Sequence, residues 1–390
     1  MSSSPRVGLI TTALGLGGFA IGTVEFASMS LLPQFTRDLG VDIPMGGQAI
    51  TAYALGVVIG APVLAVIGAR IPRRLFLVML MALYAIGNLA SAWAPSFGWL
   101  VFWRFVSGVP HGTYFGIAGL LAASLVPENK RAQAVARVLL GLTIATIIGV
   151  PLANVLGRAL GWRWAFVLVA AIAGITALSI QVTAPSGGMP EGASWRRELG
   201  ALKRRQVWLT LGIGAVGQGG IFSVYTYLAS TLTLDAHGSA ELLPFAFGLF
   251  GVGMTISLVT AGYFADRAVM KTAAGCLLFS MTAMAIYALS THHTWSLLPA
   301  VFLVGCGSGV FAPIQARLMD VAGDGQTLAA ALNHSAFNVA NAIGPAAGGL
   351  ALTAGLGWSS TGWVGSLLAA CGLGVLALAV TDARRTQASA

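Results

Sequence analysis

The sequence predicts an all-α membrane protein with twelve transmembrane helices in two six-helix bundles. Three observations carry that expectation. First, 57% of the 390 residues are hydrophobic, 8% are charged, and the mean hydropathy is +0.84. So few charges cannot clothe a soluble globule of this length. Second, the chain holds twelve mainly apolar runs of the length that crosses a bilayer, roughly 20 residues. Third, the two halves repeat at an offset close to 197.

The runs lie at 8–32, 47–69, 75–94, 99–124, 134–157, 164–184, 207–231, 243–265, 272–291, 296–320, 327–354 and 360–381. The first has only Arg6 before it. It is too long for a signal-peptide core and lacks a cleavage site, so it reads as a span. The longest polar stretch, Pro185 to Gln206, holds Gly187, Gly188, Pro190, Arg196, Arg197, Lys203, Arg204 and Arg205. It reads as a cytoplasmic linker between bundles at 1–184 and 207–390.

The formal charge is +9, carried in short clusters between apolar runs. That layout fits loops obeying the positive-inside rule and does not suggest nucleic acid. Of 21 Lys and Arg, 17 fall on the side of the termini and linker. Three, Arg37, Arg158 and Arg163, fall on the other, and Arg104 lies inside a span. Both termini are therefore expected in the cytoplasm. Cys276, Cys306 and Cys371 sit in apolar runs and read as inert thiols. Disorder, coiled coil and a disulfide scaffold are excluded. With no nucleophile beside a base, no metal-ligand cluster and no phosphate loop, an enzyme, a cofactor and a metal are not expected.

The repeat is more than glycine content. Gly15, Gly17, Gly56, Gly108 and Gly112 match Gly212, Gly214, Gly253, Gly305 and Gly309. Arg70 and Arg74 match Arg267 and Lys271, and Gly161-Trp162 matches Gly357-Trp358. Copies of six spans share one orientation, and such parallel repeats point to alternating access around a central cavity.

Charge inside a span is costly and marks function or pairing. Glu25 in span 1 and Arg104 in span 4 each lie roughly 9–12 Å from the outer ends of their spans. They are placed to approach one another. Two readings stay open: a proton-carrying acid tuned by Arg104, or a fixed ion pair. The matching positions, Phe222 and Val301, are apolar, so any proton site belongs to the first half. His111 shares a helical face with Arg104, either as a proton relay or as a neutral residue bonded to a carbonyl.

In span 11, His334, Asn338 and Asn341 form one polar stripe beside Asn333, lining a cavity or bonding neighbouring helices. Tyr53, Tyr114, Gln218, Tyr225, Tyr227 and Gln315 carry the same two readings. Pro110, Pro151, Pro313 and Pro345, with Gly149, Gly344, Gly348 and Gly349, are hinge or close-packing positions.

On its motifs the chain resembles the major facilitator superfamily over nearly its whole length. The resemblance is strongest to the twelve-span drug:proton antiporter branch and its arabinose-efflux-permease-like exporters. Gly22-Thr23-Val24-Glu25-Phe26 through Leu31-Leu32-Pro33 looks like that branch's first-helix signature. Ala69-Arg70-Ile71-Pro72-Arg73-Arg74 looks like the loop motif between spans 2 and 3. Arg104 to Gly112 resembles the span-4 motif whose arginine the family links to proton coupling, and Gly149-Val150-Pro151 resembles the antiporter motif. Two departures stand out. Ala69 replaces the loop motif's usual Asp, which its second copy keeps at Asp266, before Arg267. The antiporter Gly-Pro pattern fits better at Gly344-Pro345 in span 11.

The resemblance implies a bacterial inner-membrane exporter, acting as a monomer, that exchanges external protons for a small organic molecule. Its proton-coupling residues would be Glu25, Arg104 and His111. Its gating positions would be Arg70, Arg74, Asp266 and Arg267. Its expected partners are protons, a small organic substrate and the lipid bilayer. A proton-coupled symporter or uniporter for a sugar or nucleoside, and a non-transporting receptor or scaffold, remain as alternatives.

Overall fold

A computed structural model describes residues 5–68, 71–127, 131–186, 199–323 and 326–388. The described residues are helical with short connections and contain no strand. Ten of their helical segments are long and apolar enough to cross a membrane.

Helix α1 (Pro5–Ser30) is the first span. Leu31 interrupts it, and the short α2 (Leu32–Leu39) begins with Pro33 in its first turn, where a missing N–H costs nothing. Gly40 ends α2 in the left-handed region at φ 67°. Next come α3 (Ile43–Gly68) and α4 (Arg73–Ala92).

The expected fourth span is two helices, α5 (Phe97–Gly108) and α6 (His111–Ser124). Pro110 lacks the N–H that would bond Val106, and the Val109 N–H takes that carbonyl at 3.3 Å in a tighter turn. Neither piece alone has the length of a span. The fifth span runs through α7 (Arg131–Ile144), a π-helical turn at Ala145–Gly149, and α8 (Val150–Leu160). The sixth is α9 (Trp162–Thr183).

In the second half, α10 (Arg205–Gly217) and α11 (Gly219–Ser230) make one span, broken at Gln218. Helix α12 (Leu243–Ser290) covers two expected spans. The expected loop at 266–271 shrinks to a single non-helical residue, Ala268 (φ −158°, ψ 76°). The tenth span joins α13 (Thr294–Cys306) to α14 (Phe311–Val321) through a 3₁₀ turn at Gly307–Val310. Helices α15 (Gln326–Thr353) and α16 (Ser360–Ala388) complete the chain. Helix α15 is the expected eleventh span and has the length, but its His and Asn residues and Pro345 leave it outside the ten. The expected count of twelve thus rests on one broken helix and one polar helix.

Contacts divide the chain into two units, Met1–Gly40 with Ala52–Ala193, and Val41–Thr51 with Ser194–Ala390. Residues 41–51, at the start of α3, therefore group with the second unit rather than the first. Most of the linker expected at 185–206 lies outside the described residues.

Within each unit the helices meet through residues without side chains, as expected where lipid offers no hydrophobic drive to helix pairing. A Cβ on Gly56 would strike the Phe105 carbonyl, and one on Gly108 would strike the Tyr53 carbonyl. In the second unit, Gly253 faces the Phe302 carbonyl and Gly305 faces the Phe250 carbonyl. All four positions of the first seam map onto the second at the 197 offset. A further pair follows: Gly60 faces the Val109 carbonyl, and at the matching position Ser257 Oγ donates to the Cys306 carbonyl. Large apolar side chains such as Val182, Val259 and Leu289 point out of the units, as they would towards lipid. Cys276, Cys306 and Cys371 are unpaired.

Gly108→Ala and Gly305→Ala should each cost about 1–3 kcal/mol through overpacking, and thermal melting in detergent should show the two losses to be similar. Gly116→Ala, inside α6 where an added Cβ meets no atom within 4 Å, should not lower the melting temperature and should raise it slightly.

Candidate functional site

Four helices of the first unit, α1, α3, α5 and α9, meet at one charged residue. Arg104 in α5 is 1% exposed. Its Nη2 donates to Ser28 Oγ of α1 at 3.2 Å. The guanidinium carbon lies 4.2 Å from the centre of the Tyr53 ring of α3 and 5.6 Å from that of Phe166 in α9. Both are cation–π distances, and such contacts are worth most where water is excluded. Glu25 of α1 is buried, and its charge acts on Arg104, Tyr53 and Tyr84. Glu25 stands one helical turn before Ser28, the residue to which Arg104 donates.

Tyr53 extends the cluster. Its hydroxyl lies 2.9 Å from His111 Nδ1 and 3.4 Å from the Tyr84 hydroxyl. Tyr84 in α4 donates to the Ile21 carbonyl of α1 at 3.3 Å. His111 opens α6 just beyond the Pro110 break, and its ring packs tilted against Tyr53 and Phe115. The break brings the histidine to the tyrosine hydroxyl, so Arg104, Tyr53 and His111 are joined in the buried interior, and Glu25 is buried on the helix that supplies Ser28. Arg104 Nε and Nη1 have no hydrogen-bond partner among the described residues. The guanidinium therefore retains donors for an acceptor at this site.

Ser28, Tyr84 and Phe166 were missed by sequence reasoning. Ser28 stands three residues after Glu25, on the same helical face, and that spacing was its signal. Tyr84 and Phe166 carry no comparable mark.

The other site residues are more scattered. Tyr114 is fully buried and donates to the Leu14 carbonyl at 2.7 Å, in space that Gly17 leaves open. In the second unit, Tyr225 packs on Phe247 and Phe250 at 5.0 and 4.5 Å. Tyr227 donates to the Pro345 carbonyl at 2.8 Å. Gln218 sits buried at the α10–α11 break. Asn333 donates to Gln315 Oε1 at 2.7 Å, and Asn338 to the His334 carbonyl at 3.0 Å. His334 packs against Phe311 and lies, like Asn338 and Asn341, on α15.

Of the gating positions, Arg74 donates to the Ala184 carbonyl at 3.4 Å. Arg267 donates to the Tyr263 hydroxyl at 2.6 Å and stacks on that ring at 3.9 Å. Arg70 and the side chain of Asp266 lie outside the described residues. Gly149 ends the π-helical turn, a Cβ there would strike Thr23 Oγ1, and Pro151 lies in the first turn of α8. Gly344 lies where a Cβ would strike the Gly219 carbonyl.

A second polar cluster, also missed, lies at the ends of the spans. Asp38 of α2 pairs with Arg163 and accepts from Trp162 Nε1 at 3.0 Å. Arg163 stacks on the Trp162 ring at 4.3 Å and donates to the Ala94 carbonyl at 3.2 Å. This ties the end of span 1 to the start of span 6 and to the α4–α5 connection. The hydrogen bond from Arg163, and then that from Trp162, holds the Asp38 carboxyl below the usual carboxylate range. The repeat mate of Asp38 is Asp235, whose Oδ1 lies 3.2 Å from His292 Nδ1.

The sequence profile described as the Major Facilitator Superfamily matches residues 14–325 and 224–390. The chain is 38% identical to the inner membrane transport protein YdhP of Escherichia coli K12, over 93% of each chain. It is 32% identical to a chloramphenicol resistance protein of Streptomyces lividans, over 91% of this chain and 92% of that one. A crystal structure of the nucleoside transporter NupG superposes with a TM-score of 0.77 at 11% identity, over 95% of this chain and 99% of that one. At that identity the likeness concerns the fold alone.

The Asp38 cluster yields a pH dependence. A carboxyl whose acidity is strengthened on folding stabilises the fold above its unfolded value, and this contribution is lost as pH falls through the folded value. Melting temperature should therefore drop as pH falls below roughly 4, the unperturbed range. Asp38→Asn should be less stable at neutral pH and should flatten that drop.

Proposed function

The chain belongs to the Major Facilitator Superfamily, and from that premise we propose that it is a secondary active exporter. It moves a small organic molecule outward in exchange for protons. The observation that carries this reading is the buried group of Glu25, Arg104, Tyr53 and His111. It occupies one repeat only: Phe222, Val301, Phe250 and Ser308 stand at the matching positions. A structural ion pair needed by the scaffold itself would be expected in both copies.

In the proposed cycle Glu25 takes up a proton when the site opens outward. Arg104, held by Ser28 and the Tyr53 ring, is the counter-ion of the ionised acid. Protonation releases Arg104 to other acceptors, so proton and substrate binding compete. Tyr53 links this switch to His111 through a 2.9 Å contact, a path for handing a proton deeper. Inward passage of one charge supplies about 2.3 kcal/mol per 100 mV. The charge bias of the loops supports cytoplasmic termini. The similarity to a chloramphenicol resistance protein supports an organic efflux substrate.

Reconstitution into liposomes with an imposed pH gradient tests the proposal, using panels of drugs, sugars and nucleosides. Wild type should move at least one organic solute against the proton gradient. Glu25→Gln should lower gradient-driven flux by about 10²-fold, the scale of losing a proton-transfer group, while solute counterflow persists. Arg104→Ala should impair both. Phe222→Ala should keep proton coupling. Uncoupling by Phe222→Ala as complete as that by Glu25→Gln, or wild-type flux indifferent to the gradient, would overturn the mechanism. Uptake of a sugar or nucleoside together with protons would assign the symport alternative.

A further inference from the structure

A cleft of about 570 Å³ opens on the side of the second unit, away from every residue assigned above to proton coupling. Its walls are the two limbs of α12 on either side of the Ala268 break, with Ile256 and Phe264 on one and Gly275 and Phe279 on the other. Cys306 of α13 lies at its inner end. Arg267 and Lys271 stand at its mouth, at the junction of two spans and hence at the membrane–water interface. Ser257, also in the lining, is ten residues from Arg267, about 15 Å deeper by helical rise. The cleft thus runs from the interface into the hydrocarbon.

Its chemistry changes along that path. No acidic side chain stands among its described lining residues. Arg267 is steadied by Tyr263, and Lys271 makes no hydrogen bond or ion pair among the described residues. Inward of these cations, the exposed side chains of Ile256, Phe264 and Phe279 line the walls. A soluble anion would satisfy the mouth and leave those walls bare. An anionic amphiphile satisfies both. The matching positions of the first unit differ: Arg74, the mate of Lys271, donates to the Ala184 carbonyl, and Val78 stands where Gly275 would be.

We propose that this cleft binds an anionic phospholipid, with its phosphate between Arg267 and Lys271 and an acyl chain along Phe264 and Phe279. A zwitterionic lipid brings a cation to the same mouth and binds less well.

Native mass spectrometry of the full-length protein in detergent tests this, with added dioleoyl-phosphatidylglycerol or dioleoyl-phosphatidylcholine. Phosphatidylglycerol should be retained in preference to phosphatidylcholine. Arg267→Gln and Lys271→Gln should each lower its occupancy about fivefold, the scale of one interfacial cation, and leave phosphatidylcholine unchanged. Gly275→Leu should lower both lipids by filling the cleft, since a Cβ at 275 meets nothing within 4 Å. Unchanged melting in lipid-free detergent confirms that each variant is folded. Equal retention of the two lipids, or wild-type phosphatidylglycerol binding in both Gln variants, overturns the proposal. So does phosphatidylglycerol that binds Gly275→Leu normally and is displaced by inorganic phosphate, because the site would then be a headgroup contact alone.

Discussion

A guanidinium cannot rest inside an apolar bundle unless the surrounding chain is built around it. Arg104 is that group here, and its burial constrains most of the first unit. One helix supplies a hydroxyl, two supply aromatic faces, and Glu25 supplies the opposite charge. Each contact repays part of the desolvation cost, and none repays it alone. The positions of spans 1, 2, 4 and 6 are therefore coupled through one side chain. Moving any one of them changes how well that charge is held.

The second unit shows the same scaffold without the charge. Tyr225, at the repeat position of Ser28, lays its ring 4.5 Å from Phe250, the mate of Tyr53. An aromatic contact thus replaces a cation–π contact while the glycine seam beneath is kept. At these matched positions one copy holds an arginine against a tyrosine ring and the other stacks two aromatic rings. The duplicated framework tolerates both because its seams are backbone against carbonyl and do not depend on the side chains lodged between them.

Much of this was readable beforehand. Span positions followed from apolar runs, because lipid tolerates little else. The repeat followed from glycines, because close approach permits only glycine at Gly56, Gly108 and their mates. Glu25 and Arg104 stood out because charge in a span is rare. Their neighbours were harder to find: Tyr84 and Phe166 reach the site by packing across helices, and one sequence does not encode such neighbours locally. The π-helical turn before Gly149 has no sequence signature of its own. The Asp38 cluster escaped notice because its partners lie more than a hundred residues away, although Asp38 and Asp235 share the repeat register.

The glycine seams also say how each unit deforms. A carbonyl seated against a bare Cα resists axial sliding, since a shift of one residue drives it into a side chain. Tilting about the same contact meets no such barrier. Spans 2 and 4 are therefore locked in one axial register, as are spans 8 and 10. Bending is left to the places where the hydrogen-bond ladder is already interrupted: the turns at Val109–Pro110, Ala145–Gly149, Gln218 and Gly307–Val310.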